Sequence, residues 1–91
     1  MQTKKELSEK YAFLIIKSKD KERTIWEIKY EIESLTYDNG NTISEKDIEQ
    51  IWDNIEVALK EFEEKNIIKL FEHENKATLE LISFIRGWKR K

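Results

Sequence analysis

Along most of the chain the apolar residues recur every three or four positions. Leu7, Tyr11, Leu14 and Ile15 share one face between Lys4 and Lys17, the spacing of a helix buried on one side. Ile48, Ile51, Trp52, Ile55, Leu59 and Phe62 repeat that spacing from Ser44 to about Lys65, with Ala58 beside them and acids and lysines between. The segment Thr24 to Thr36 carries two periods. Trp26, Ile28, Tyr30 and Ile32 alternate with Glu27, Lys29, Glu31 and Glu33, as in a strand, while Ile25, Ile28, Ile32 and Leu35 form a helical stripe.

Local signals place the ends of these elements. A hydroxyl residue followed three positions later by an acid opens three segments, at Thr3/Glu6, Thr24/Glu27 and Ser44/Asp47. The hydroxyl accepts from a backbone N–H that has no partner inside the helix, and the acid complements the helix dipole. The second of these signatures favours helix for Thr24 to Thr36. Lys17 to Arg23 contains no apolar residue and reads as a connector. Asp38-Asn39-Gly40-Asn41 reads as a turn, and Asn66 as the C-terminal cap of the long helix.

Beyond Asn66 the rhythm shifts. Ile67 to Phe71 and Thr78 to Phe84 are short and rich in strand formers, separated by the polar Glu72-His73-Glu74-Asn75-Lys76. Two such runs predict a β-hairpin. A helix from Ala77 is the rival, because Leu81, Ile82, Ile85 and Trp88 also fit helical spacing. The expected fold class is therefore α+β, three helices followed by a two-stranded hairpin, in a single domain over 1–91 with a short basic tail over 86–91.

The chain has 91 residues, of which 38 % are hydrophobic and 40 % charged. That length supports one modest core. Seventeen basic residues face nineteen acidic ones, a net of −2, so the expected surface is laced with ion pairs. The distribution is uneven. Met1 to Thr24 has seven bases and four acids, and Ile67 to Lys91 six and three, each +3. Ile25 to Ile43 has one base and four acids, −3, and Ser44 to Asn66 three and eight, −5. The absence of cysteine excludes disulfides, thiolate metal sites and thiol catalysis. No apolar run approaches the roughly 20 residues that cross a bilayer, and the first residues lack the apolar stretch of a signal peptide. A cytoplasmic protein that does not contact membranes is expected.

The stretch Thr42-Ile43-Ser44, then Ile48, Ile51 and Ile55, then Ala58-Leu59-Lys60-Glu61-Phe62-Glu63-Glu64-Lys65-Asn66-Ile67-Ile68 resembles the winged helix-turn-helix superfamily over roughly Thr24 to Phe84. The resemblance implies that the third helix is a recognition helix and that the loop near Glu72 to Lys76 is a wing. It also implies DNA binding in transcription regulation, with dimerisation through terminal helices. The sequence departs from DNA-binding members in the acidity of that third helix, because affinity for DNA rests largely on Lys and Arg meeting phosphates.

Two function classes follow. In the first, the protein binds DNA through its basic ends and wing. Lys46, Gln50, Lys76, Arg86, Lys89, Arg90 and Lys91 are its candidate contacts, and the first helix its dimer interface. In the second, it is an adaptor or inhibitor that binds a basic protein through the acidic helix 44–65, with Glu49, Asp53 and Glu56 as contacts. Catalysis and cofactor or metal binding are not expected. His73 is the only histidine and sits among polar residues, and two glycines cannot build a phosphate loop. Trp52 lies on the core stripe. Trp26 suits core or an interface hot spot, and Trp88 either packing on the first helix or an exposed stacking role.

Overall fold

The computed structural model describes residues 3–65 and 72–89; at 63, 72–77 and 87–89 the description covers the backbone alone. These residues form four helices: α1 (Lys4–Lys17), α2 (Lys21–Glu33), α3 (Glu45–Glu64) and α4 (Glu72–Lys89).

The N-terminal caps show why the helices begin where they do. Thr3 Oγ1 accepts from the Glu6 N–H at 3.1 Å and opens α1. Ser44 Oγ accepts from the Asp47 N–H at 3.1 Å and opens α3. The middle signature works differently. Asp20 caps α2, its carboxylate accepting from the Arg23 N–H at 3.1 Å. Thr24 lies one turn inside, where its hydroxyl donates back to the Asp20 carbonyl. The connector from α1 to α2 thus shrinks to residues 18–20, and the helical stripe of Ile25, Ile28 and Ile32 is the one that is buried.

Between α2 and α3 the chain makes a tight reversal. Thr36 and Thr42 form an isolated antiparallel bridge. The Gly40 N–H donates to the Tyr37 carbonyl and the Tyr37 N–H to the Asn41 carbonyl, each at 2.8 Å. Gly40 has φ +85°, a left-handed conformation that suits a residue without Cβ.

The core is built around α3. Three cross-links show that α1 runs alongside it in the same direction: Lys4 reaches Asp47 and Gln50, the Ser8 hydroxyl lies 3.2 Å from the Ile51 carbonyl, and Phe13 meets Phe62 edge-on. The small buried residues Ser8, Ala12 and Ala58 leave room for the two helices to approach. α4 packs against α3 and brings Arg86 to Asp53 and Glu56. α2 packs against α1 and α4. Tyr11, Ile15, Ile25, Ile32, Ile51, Ile55, Leu59, Ile82 and Ile85 fill the centre, each nearly or fully sealed from solvent.

The expected α+β class with a winged-helix-like hairpin is overturned. Thr78 to Phe84, expected as a strand, lies inside α4, and so does the polar 72–76, expected as the wing loop. Thr78, Ile82 and Ile85 are buried together. Their spacings of four and three match a helix laid on α2 and α3, and this tertiary burial overrides the strand propensity of the local composition. The other expected strand, 67–71, and the Asn66 cap lie outside the described residues. No described helix is long and apolar enough to cross a membrane.

Candidate functional site

The acids of α3 are divided by the helix surface. Its outward positions are Lys46, Gln50, Asp53, Val57, Lys60 and Glu64, all exposed. Two cations and two anions there cancel. Of the remaining acids, Asp47 meets Lys4 of α1 and Glu56 meets Arg86 of α4, while Glu45 and Glu61 are exposed. Part of the segment's −5 is thus met by cations of the neighbouring helices.

On the α1 flank, Asp47 accepts from Lys4 Nζ at 3.0 Å and from the Tyr37 hydroxyl. These bonds, Tyr37's foremost and then Lys4's, hold the Asp47 carboxyl below its ordinary range. Lys4 also donates to Gln50 Oε1 at 2.8 Å. One carboxylate thereby joins the start of α1, the reversal loop and the start of α3.

On the α4 flank, Arg86 donates to Glu56 Oε1 at 2.7 Å and to Asp53. Burial opposes its charge, but the bonds to Asp53 and Glu56 outweigh that and raise its pKa above the usual arginine value. Arg86 was a candidate for phosphate, and Asp53 and Glu56 for a basic partner. In the fold these three candidates from two rival readings bind one another.

Beside this ion pair a cleft of about 290 Å³ opens between α2, α3 and α4. Ile48, Trp52 and Ile85 supply its apolar lining, and Lys29, Glu33, Glu45, Lys46, Glu49 and Arg86 its charged lining. Lys29 is 5 % exposed. Its ammonium lies 2.9 Å from Glu33 and faces the Tyr30 and Trp26 rings at 5.1 and 5.7 Å from their centroids, positions that favour a cation electrostatically. Trp26 is half-buried, and its i+4 neighbour Tyr30 is 63 % exposed. Both rings thus flank Lys29, one of the residues that line the cleft.

The fold brings Lys46, Glu49 and Arg86 to this cleft. It turns Gln50 outward to Lys4 and ties Asp53 and Glu56 to Arg86. The side chains of Lys76, Lys89, Trp88 and His73 lie outside the description, as do Arg90 and Lys91 entirely. Lys29, Glu33, Glu45 and Ile85 line the cleft without having been singled out in the sequence as functional. The i, i+4 pairs Trp26/Tyr30 and Lys29/Glu33 were the available signal, visible once α2 is helical. Among the described residues no group of three or more His, Cys, Asp and Glu is arranged to hold a metal.

Comparison of the chain with protein families, with curated proteins and with solved structures finds no match.

Proposed function

We propose that the protein acts by binding another protein at the cleft between α2, α3 and α4. The observation that carries this reading is the Ile48–Trp52–Ile85 lining beside Lys29, whose ammonium faces the rings of Trp26 and Tyr30. Binding hot spots are enriched in tryptophan and tyrosine, set around a pocket that an anchor side chain can fill. The charged rim mixes three acids and three bases, which suits a polar interface border. A nucleic-acid backbone at the same place would meet Glu33, Glu45 and Glu49, and Arg86 is already held by carboxylates.

Tyr30→Ala separates binding from folding, because the side chain is mostly exposed. Affinity purification from the source cells, quantified by mass spectrometry, compares the native chain, Tyr30→Ala and the control Val57→Ala on the outward face of α3. The expected result is a protein retained by the native chain and the control and lost from Tyr30→Ala. Equal retention by all three, or recovery of nucleic acid alone, overturns the reading.

A further inference from the structure

The face of α1 directed away from the core carries a second pattern. Leu7, Ser8, Tyr11, Ala12 and Ile15 are buried. On the opposite side Glu6, Lys10, Phe13 and Lys17 follow at spacings of four, three and four, so they line one outer seam of the helix. All four are exposed, and so is the adjoining Leu14. Phe13 and Leu14 are each 44 % exposed, an apolar pair on a helix whose core-facing stripe is already occupied. Lys17 sits over the Phe13 ring, 4.4 Å from its centroid, and Phe62 of α3 meets the same ring edge-on. The ring thus already accepts a cation over its face.

We infer that this seam pairs with the same seam of a second copy, the two α1 helices antiparallel about a two-fold axis. The charge order of the seam argues for this occupant. It begins with an acid and ends with a base, so reversing one copy sets Glu6 against the partner's Lys17 at both ends. The same register puts Lys10 opposite the partner's Phe13, twice, where it takes over the ring face that Lys17 leaves to pair with Glu6. A parallel pairing would instead set like charges together at Glu6, Lys10 and Lys17. A two-fold interface is self-complementary in this sense. The surface is distinct from the cleft, so the inference does not depend on the proposed protein-binding function.

Charge-swapped chains test the pairing. Glu6→Lys sets two lysines against each other at each end of the dimer, and Lys17→Glu sets two glutamates there. Neither side chain packs in the core, and circular dichroism verifies that each variant keeps native helicity. In sedimentation equilibrium the native chain is expected to show a concentration-dependent dimer. Each variant alone should weaken it about tenfold or more, and an equimolar mixture of the two should restore it as a heterodimer. Phe13→Ala should weaken it without rescue by mixing. A native chain that stays monomeric at all concentrations overturns the inference. So does a dimer that both charge variants leave intact, or one that mixing the variants fails to restore.

Discussion

Arg86 of α4 donates to Glu56 of α3 across 2.7 Å, and the same guanidinium reaches Asp53 less than a turn earlier. Arg86 is 19 % exposed and Glu56 23 %, whereas Asp53 is 62 % exposed. The pair is the clearest case of the basic C-terminal part of the chain meeting the acidic middle.

Removing Arg86 leaves a half-buried carboxylate without its cation. Arg86→Ala is expected to cost about 1.5–3 kcal/mol, the range for hydrogen bonds to charged groups. Asp53→Ala should cost about 1 kcal/mol or less, because its partner is lost from the solvent side. Urea denaturation of the single variants and of both double variants checks this. The coupling of Arg86 to Glu56 should exceed its coupling to Asp53.

Tyr11 is fully buried, and its hydroxyl has no hydrogen-bond partner among the described residues. Burial, reinforced by the charge of Glu31, pushes its pKa up to about 12. Tyr11→Phe removes an unsatisfied polar atom and keeps the ring, so it is expected to be neutral or stabilising by about 1 kcal/mol. The neutral phenol is the form the fold prefers. Its contribution is therefore complete below the ordinary tyrosine value of 10.0 and is lost as the pH rises toward 12. Thermal melts across that interval should fall more steeply for the native chain than for Tyr11→Phe.

Asp47 gives the opposite sign. Its carboxyl is held below the ordinary 3.8 by the Tyr37 hydroxyl and by Lys4. The stabilisation is present above that value and disappears as the pH falls through the lower folded-state pKa. Tyr37→Phe removes the largest cause, so it should bring the carboxyl back toward its ordinary pKa. Carbon-detected NMR titration of the Asp47 carboxyl in the two chains measures the shift directly.

Ser83 lies exposed in the interior of α4. Proline there removes an i to i−4 bond and clashes with the preceding turn, at a cost of about 3 kcal/mol or more. An edge strand over the same residues would accept it far more easily. Calorimetry of Ser83→Pro should show a large loss of stability, with reduced helical circular dichroism.

The helices from Lys4 to Lys17 and from Glu45 to Glu64 were legible because cap, apolar stripe and polar remainder agree at every level. α2 was half legible. Its stripe was visible, but Asp20 rather than Thr24 caps it, and a carboxylate one turn before a plausible hydroxyl cap is easily passed over. α4 was misjudged from Thr78 to Phe84. Leu, Ile and Phe in close succession suit a buried strand as well as a helix, and local composition cannot separate the two. Of the candidate site residues, Glu49, Lys46 and Arg86 do converge on one cleft, yet Lys29, Glu33 and Ile85 were invisible there, since three separate helices bring the lining together.

Where α1 and α3 begin, most of the apolar stripes those two helices bury, and the alternation of basic, acidic and basic segments follow from the chain alone, because they depend on neighbours within a few positions or on simple counting. Whether those charges would face a partner could not follow from it. That was decided when α1 and α4 came to lie on either side of α3, since an ion pair forms between side chains within a few ångströms in space however far apart they stand in the chain. Packing consumed Arg86, Asp53 and Glu56 internally and opened a cleft beside Trp52.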